Sequence, residues 1–355
     1  MGLSPQMGGE ALLQEMGRLS TGFETDFEME CRDILSLDSS NIQPEHWQIM
    51  ARCLYEAMDE YDGFIVTHGT DTMAYSAAAV SFMLQGLDKS VVFTGSQLPI
   101  DHALTDARNN LCTAMAAIEH DIRGVTVAFD RKILCGTRAV KVSTMGFDAF
   151  ESINAPYMAQ VFADGMRVLA HRTAEISGRK AGDGPAGECT GACVPWADQP
   201  GRKEAAAEDR LSRDSGPVLQ LLDRLCTKVF LLKLLPGMDP AFFDVLPRLG
   251  YRGLVIEAFG AGGMHYIHNN ILDKLRELTE RGMAVVICSQ CLYERSDLTL
   301  YEVGRRILEC GVISGGDMTT EAASVKLMWA LGQRSDPEAV RRMFAVSYSG
   351  EINMG

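Results

Sequence analysis

No apolar run in this 355-residue chain approaches the ~18–20 residues that a membrane-spanning helix needs, which argues against a membrane protein. The first residues, MGLSPQMGGEALLQEMGRL, lack the basic segment followed by an apolar one that marks a secretory leader. Basic residues are also scarce, since 33 Lys and Arg stand against 47 Asp and Glu and give a net charge of −14. Such a surface repels phosphate backbones, so we expect a small-molecule ligand and no nucleic acid partner.

The chain also lacks a second Cys-x-x-Cys pair. Its ten cysteines include one such pair, Cys288 and Cys291, at the end of the apolar run MAVVI. A zinc site of this kind needs two pairs, so we expect no metal, and a redox pair at a strand end remains the alternative. Other cysteines, such as Cys53 and Cys112, lie inside apolar runs, which is typical of buried free thiols. Together with the absent leader, this predicts a reducing, cytoplasmic location.

Short apolar runs alternate with longer amphipathic stretches along most of the chain. Helix-like stretches follow most of the strand-like runs, which lie at 64–67, 91–94, 125–129, 229–232, 254–258 and 284–287. Continuous apolar strands followed by helices indicate parallel strands that are covered on both faces. The sequence therefore predicts an α/β protein with right-handed crossovers.

Residues 171–217 break this alternation. They contain seven glycines and only four large apolar residues, too few to bury a surface that would offset the entropy of ordering. We therefore expect a flexible linker or insertion at 171–217 between two α/β domains, one at 1–170 and the other at 218–355.

Ligands of parallel sheets bind at the carboxyl ends of the strands, so the turns after the strands are where a site is expected. The turn after 64–67 reads THGTDT and places Thr70 and Asp71 at the start of a helix. Thr and Asp are preferred helix caps, which is one interpretation. The other is a hydroxyl and a carboxylate that meet a substrate beside free helix N–H groups.

Two other segments carry polar residues that could join such a site. Lys141 lies between two valines in a strand-like run, either as a solvated edge residue or as a buried lysine that takes up a proton. Asp38, Ser39 and Ser40 precede a helix and fit a capping loop. His68 leaves a histidine-based triad open, although the sequence places no serine or cysteine partner beside it.

Several strings of the chain resemble the bacterial-type L-asparaginase family, and most closely its cytosolic type I branch. They are DSSNIQPEHW, HGTDTM, GSQLP, RNNLCTAMAA, GFDAFESINAP, LKLLPGMDP, SQCLYE and ISGGDMTTEAASVKLMWAL. The resemblance covers nearly the whole chain outside 171–217. It implies a larger N-terminal flavodoxin-like α/β domain with a mostly parallel sheet, a smaller C-terminal α/β domain, and homodimers or homotetramers.

The resemblance also implies an amidohydrolase that converts L-asparagine to L-aspartate and ammonia through a threonine acyl-enzyme, without a cofactor or metal. By position, Thr70 and Asp71 match the family's second threonine and its aspartate, and Lys141 matches the lysine that pairs with them. We expect Asp71 to bind the α-ammonium group, and Thr70 to position a water or hydroxyl whose proton Lys141 accepts through Asp71.

The loop that holds the substrate's α-carboxylate in this family matches Asp38, Ser39 and Ser40. We expect the Ser39 side chain and nearby backbone N–H groups to bind that carboxylate.

Two features depart from the family's pattern. The family carries its nucleophilic threonine in a T-G-G-T-I-G motif at the end of the first strand, and this sequence does not contain that motif. We therefore expect an open sheet edge beside 64–67, explained either by an incomplete N-terminus or by a paralogue that binds without turnover. In addition, Glu257 and Val140 replace an arginine and a threonine of the type I effector site, although Cys291 matches, so we expect that regulation to be lost or changed.

Three other functions remain open at this point. An amidotransferase subunit that feeds ammonia to a charged tRNA shares this core, but the acidic composition argues against tRNA. A non-catalytic protein of this fold would bind asparagine or aspartate without releasing ammonia. A nicotinamide-dependent oxidoreductase is the third, and the glycines at 260, 262 and 263 are only a weak sign of it because His265 replaces the last glycine of the fingerprint.

Overall fold

A computed structural model describes residues 8–170 and 218–353. The linker expected at 171–217 lies outside the described residues. Two sheets, one in each half of the chain, are flanked by helices, which confirms the predicted α/β class.

The N-terminal sheet contains the first two predicted strands at its edge. Its six strands lie in the order β1-β3-β4-β5-β8-β9, parallel from β1 to β4 and antiparallel from β4 onward. The strands of this half are β1 (Gly63–Thr67), β2 (Leu84–Gln85), β3 (Ser90–Thr94), β4 (Gly124–Phe129), β5 (Lys132–Cys135), β6 (Ala139–Lys141), β7 (Phe150–Ser152), β8 (Ala159–Phe162) and β9 (Gly165–Val168). Strands β6 and β7 form a separate antiparallel hairpin.

Helices connect and cover these strands. They are α1 (Gly9–Ser20), α2 (Pro44–Ala57), α3 (Met73–Met83) and α4 (Ala107–Glu119), with a 3₁₀ turn at Ser39–Asn41. Almost every residue of α3 is buried, because this helix lies between the two halves of the molecule.

The C-terminal sheet is parallel throughout, in the order β11-β12-β13-β14. Its strands are β11 (Val229–Lys233), β12 (Gly253–Ala258), β13 (Ala284–Ser289) and β14 (Ile313–Ser314), and β10 (Gln220–Leu221) pairs with β2 instead. The helices of this half are α5 (Val245–Arg248), α6 (Ile271–Glu280), α7 (Glu302–Glu309), α8 (Thr320–Gln333) and α9 (Pro337–Phe344), with a 3₁₀ turn at Pro240–Asp244.

Strand β1 lies at the edge of its sheet, where it pairs with β3 among the described strands. Its first four residues are half-buried and Thr67 is exposed, whereas all five residues of β3 are buried. Residues 9–20 form helix α1 rather than a strand beside β1. The open edge that the sequence predicts beside 64–67 is therefore confirmed for the described residues.

The two halves share one hydrophobic core. Helix α3 packs against α8, and the Phe82 ring stacks on Trp329 with centroids 5.7 Å apart. Residues 345–353, here called the C-terminal strap, extend this contact. The strap carries Glu351, which forms a fully buried ion pair with Lys326 at 2.6 Å, and Gly350, whose carbonyl accepts a 2.7 Å hydrogen bond from buried Arg138. Separate folding of the halves would expose this core to water.

In the described ranges, none of the helices combines the length and the hydropathy that crossing a bilayer requires.

Candidate active site

The turn between β1 and α3 forms the floor of a polar cluster at the carboxyl edge of the N-terminal sheet. The backbone N–H of His68 still donates to the Thr94 carbonyl at 2.8 Å, which continues the β1–β3 pairing into the turn. At Gly69 a Cβ would lie 2.6 Å from the Ser39 Oγ, so only glycine lets the 38–41 loop pack this closely. The turn therefore brings two loops distant in sequence to one point.

Thr70, Asp71 and Lys141 meet above this turn. The Lys141 ammonium donates to Thr70 Oγ1 at 2.8 Å and to Asp71 Oδ1 at 2.6 Å. The Lys141 side chain is 17% exposed and that of Asp71 is 61% exposed, so the pair opens to solvent on the aspartate side. The hairpin β6–β7 supplies the lysine, and the turn after β1 supplies the other two residues.

This geometry decides between the alternatives that the sequence left open for these residues. Helix α3 begins at Met73, its N-cap is Thr72, and no side chain caps it. Thr70 and Asp71 bond to Lys141 instead of capping the helix, so the capping interpretation is wrong. Lys141 is held by two partners and mostly buried, so it is not a solvated edge residue.

The 38–41 loop lies against the same turn. Ser39 is buried, its Oγ accepts the backbone N–H of Asp71 at 3.3 Å, and its carbonyl accepts the Thr72 hydroxyl at 2.7 Å. Asp38 and Ser40 bond to each other, through the backbone N–H at 2.8 Å and the hydroxyl at 2.6 Å. These hydrogen bonds lower the pKa of the Asp38 carboxyl, which therefore stays charged at the mouth of the loop.

Ser39 thus joins Thr70, Asp71 and Lys141 in one cluster, and Asp38 caps the short turn beside it. The cluster presents a cation between a hydroxyl and a carboxylate, and the side chain that carries this carboxylate is 61% exposed. A ligand that carries both an ammonium and a carboxylate matches those charges.

Gln97, on the turn after β3, is the residue of this cluster that the sequence analysis missed. Its Oε1 accepts the Thr70 hydroxyl at 3.3 Å, and its Nε2 donates to the carbonyls of Thr144 and Gly146 at 3.2 and 3.0 Å. Its signals in the sequence are its position after a predicted parallel strand and its place in the GSQLP string, to which the sequence analysis assigned no site residue. The hydroxyl of its neighbour Ser96 donates to the Leu98 carbonyl at 2.7 Å, as expected of a turn residue.

His68 does have a serine partner, but the pair does not form a nucleophilic site. His68 Nε2 lies 2.9 Å from Ser76 Oγ, which also accepts the Trp47 indole N–H at 3.0 Å. Ser76 is fully buried, and burial lowers the pKa of the His68 imidazole, which is therefore neutral. His68 Nδ1 lies 2.7 Å from the Gly69 carbonyl. The hydrogen bonds of Trp47, Ser76 and His68 therefore end at the turn that carries Thr70 and fix its position.

Of the three positions that correspond to the expected effector site, Glu257 carries an acid, and Val140 and Cys291 do not. Glu257 accepts the Thr320 hydroxyl at 2.8 Å and lies 3.7 Å from the Lys233 ammonium. Burial, followed by the nearby Glu257 charge, raises the pKa of Glu321. Burial and the same two acids raise the pKa of the Cys288 thiol to about 12, and both Cys288 and Cys291 are free thiols. The Cys288 thiol is therefore a poor nucleophile at neutral pH.

A metal has no ready-made site here. Among residues 8–170 and 218–353, no group of three or more His, Cys, Asp or Glu side chains is arranged to hold one.

Comparison with known protein families gives two matches that together span most of the chain. Residues 1–174 match the family described as "Asparaginase, N-terminal", and residues 228–344 match the "Glutaminase/Asparaginase C-terminal domain".

Individual relatives agree. The chain is 39% identical to an L-asparaginase of Thermococcus kodakarensis over 352 residues, which is 99% of this chain and 94% of the relative. It is 35% identical to a glutamyl-tRNA(Gln) amidotransferase subunit of Pyrococcus horikoshii over 90% of this chain, but it spans only 66% of that relative.

Solved structures show the same architecture. The thermostable L-asparaginase of Thermococcus kodakarensis superposes with a TM-score of 0.78 at 39% identity and covers 95% of this chain and 90% of its own. L-asparaginase I of Vibrio cholerae gives a TM-score of 0.78 at 27% identity, covering 99% and 95%.

Proposed function

The chain belongs to the asparaginase family, and we propose that it hydrolyses the side-chain amide of L-asparagine to give L-aspartate and ammonia. One observation carries this proposal: the Lys141 ammonium lies 2.8 Å from the Thr70 hydroxyl and 2.6 Å from the Asp71 carboxylate, at the carboxyl ends of the parallel strands of the N-terminal sheet. Proton transfer and binding of an amino-acid head group both need groups of these kinds at such distances.

We assign binding of the substrate's head group to Asp71 and Ser39. The outward oxygen of the exposed Asp71 carboxylate would pair with the substrate's α-ammonium group. The Ser39 hydroxyl and the backbone N–H groups of the adjoining turn would hold the α-carboxylate, which leaves the side-chain amide directed toward Thr70 and Lys141. Asp38 and Ser40 would shape this loop rather than contact the substrate.

We assign orientation of the attacking hydroxyl to Thr70 and proton transfer to Lys141. An attacking hydroxyl forms a bond to the amide carbon while its proton passes to Lys141 in its neutral form, and the proton then leaves with the amide nitrogen as ammonia. Water next hydrolyses the ester that remains. The resemblance assigns the attack to a threonine of a T-G-G-T-I-G motif, and Thr70 would orient that hydroxyl.

The test is ammonia release from asparagine by residues 1–355 and by a chain extended with the coding sequence upstream of Met1. Release that depends on the extension would place the attacking hydroxyl in the added residues. Release by 1–355 that Thr70→Val abolishes would make Thr70 the nucleophile. Absence of release from both, with L-aspartate still bound, would overturn the hydrolase proposal in favour of a binding protein.

A second candidate is the glutaminase part of a tRNA-dependent amidotransferase, because this chain aligns with about two thirds of such subunits at 35% identity. The net charge of −14 disfavours contact with tRNA. A higher kcat/KM for glutamine than for asparagine, together with ammonia release that tRNA stimulates, would favour this candidate.

We also propose a homodimer or homotetramer located in the cytoplasm. Exposed apolar side chains lie on loops of both halves, including Met145 at 87% exposure and Ile267 at 74%, as expected of surfaces that a second copy covers. The eight free cysteines of the described ranges suit a reducing compartment. Light scattering at micromolar concentration would give the oligomeric state, and a monomer would overturn that part.

A further inference from the structure

The side-chain amide of Gln97 has one allowed orientation. Its nitrogen lies between two carbonyl oxygens, of Thr144 at 3.2 Å and of Gly146 at 3.0 Å, which both require a donor. A flipped amide would place its oxygen against both carbonyls. The Gln97 oxygen therefore faces Thr70 and acts there only as an acceptor.

The backbone of Gln97 is fixed as firmly as its side chain. Both carboxylate oxygens of the buried Asp106 accept its N–H at 3.0 Å, and the same carboxylate accepts the N–H of Leu98 and the side-chain amide of Asn110. Gln97 thus joins the turn after β3 to the 142–149 loop, which follows Lys141 directly.

The Thr70 hydroxyl consequently forms hydrogen bonds with two neighbours, Lys141 and Gln97. A protonated Lys141 can only donate, so the Thr70 oxygen accepts from it at 2.8 Å and the Thr70 proton goes to Gln97. Once Lys141 loses its proton, its nitrogen becomes an acceptor that competes with Gln97 for the Thr70 hydrogen. At 3.3 Å the bond to Gln97 is long for a hydroxyl donor, so this exchange needs little free energy.

We propose that Gln97 is a positioning residue that holds the Thr70 hydroxyl in its acceptor orientation and thereby favours the protonated state of Lys141 until substrate arrives. This proposal rests on the proposed role of Lys141 as proton acceptor. Asp71 is the carboxylate in direct contact with the lysine; Asp106 bonds to the backbone of Gln97 with its oxygens taken up by N–H donors, and Asp148 lies beside Gly146 on the 142–149 loop. Gln97 is the neutral group that acts on Lys141 through Thr70.

The proposal can be tested without turnover, by trace acetylation of the full chain with acetic anhydride between pH 7 and 12. Only the neutral amine reacts, so mass spectrometry of the peptide that carries Lys141 gives the pH of half-maximal labelling. Lys233, with its side chain 66% exposed, serves as the internal reference. Because Gln97→Met removes the acceptor but keeps the length of the side chain, we expect half-labelling of Lys141 to move ~0.5 pH unit lower.

The decisive comparison is the double variant. If Gln97 acts through the Thr70 hydroxyl, Gln97→Met must have no further effect in a Thr70→Val background. A shift that persists there would show that Gln97 acts only by placing the 142–149 loop, and would overturn the proposal, as would an unchanged profile in Gln97→Met alone. Gln48→Met is the matched control, since the Gln48 amide also donates to a backbone carbonyl, that of Asp223 at 2.8 Å.

Gln97→Glu should shift the pH of half-labelling of Lys141 in the opposite direction. It keeps an oxygen toward Thr70 and adds a negative charge, so half-labelling of Lys141 should move to higher pH, and a shift to lower pH would count against the proposal. Labelling reports on Lys141 whether or not asparagine is hydrolysed. A chain that shows these shifts but releases no ammonia would therefore refute the proposed function and leave the role of Gln97 standing.

Discussion

The two sheets end in carboxyl edges of different electrostatic character. In the N-terminal half, Lys141 lies within 2.8 Å of both a hydroxyl and a carboxylate, and the carboxylate remains open to water. In the C-terminal half, Glu257 lies near Glu321, and the Lys233 ammonium lies 3.7 Å from Glu257. The shared rule of α/β folds, that ligands bind where parallel strands end, says nothing about the charge that such an edge carries.

This difference in charge indicates which ligand each edge could accept. The N-terminal edge pairs the charges of Lys141 and Asp71 and leaves the Asp71 carboxylate 61% exposed. The C-terminal edge holds two acids close together, and burial with these acids raises the pKa of Tyr75 to about 12. Charged acids at this edge would repel a carboxylate ligand, and the expectation that regulation of the type I kind is lost or changed stays a prediction.

The largest effect should come from removing the N-terminal cation. Lys141→Met, in whichever form of the chain releases ammonia, should lower kcat ~10³–10⁴-fold, because no group then accepts the proton. Lys233→Met removes the corresponding cation of the other edge and should change kcat less than twofold. Equal losses in both variants would mean that the two edges do not differ in function.

A smaller effect is expected on binding. Asp71→Ala should weaken L-aspartate binding, measured by titration calorimetry, ~10–100-fold because the α-ammonium group loses its counter-charge. Glu257→Ala is the matched removal of an acid at the C-terminal edge and should leave the affinity within twofold. Weaker binding in Glu257→Ala would indicate that L-aspartate binds at the C-terminal edge, against this prediction.

The smallest effect concerns stability and pH. Since the pKa of Glu321 is raised in the folded protein, the folded state holds this proton more tightly than the unfolded chain, and stability falls as pH rises through that interval. Glu321→Gln removes that dependence and should raise the melting temperature ~1–3 °C at pH 7.5. At pH 4 the two proteins should melt together, because the carboxyl is then largely protonated in both states. A lower melting temperature for the variant at pH 7.5 would show that the charged carboxylate stabilises the fold.

Much of this architecture could be predicted from the sequence. Each of the six apolar runs forms a parallel strand, because continuous Val, Ile and Phe favour a strand covered on both faces. Strand β6 corresponds to the strand-like run at Lys141, but strands β5 and β7 to β9 could not be predicted in the same way. They are three or four residues long, and several, such as GMRV in β9, mix apolar, polar and glycine residues.

The site was predicted in part, for a physical reason. The positions of Thr70 and Asp71 follow from one strand and one turn, so a local pattern reveals them. The contact of Gln97 with Thr144 and Gly146 joins residues 47 and 49 positions apart, through a loop whose path no local pattern encodes. Ser76 was missed as the partner of His68 for the same kind of reason, since an apolar helix hides its hydroxyl among alanines.

The C-terminal strap has a consequence for how the molecule assembles. Arg138 reaches its partners Asp317 and Gly350 across 179 and 212 residues of chain, and the Ser349 hydroxyl reaches the Ser81 carbonyl across 268. Closing loops of this length is entropically costly and slow, and contacts so distant in sequence are typical of slow folders. During synthesis Arg138 leaves the ribosome long before the strap does. Until the strap follows, the Arg138 guanidinium lacks its partner Gly350, although its position in the folded protein is buried. We therefore expect docking of the strap to be a late step of folding, and chaperones that shield the uncovered surface to speed the recovery of native protein.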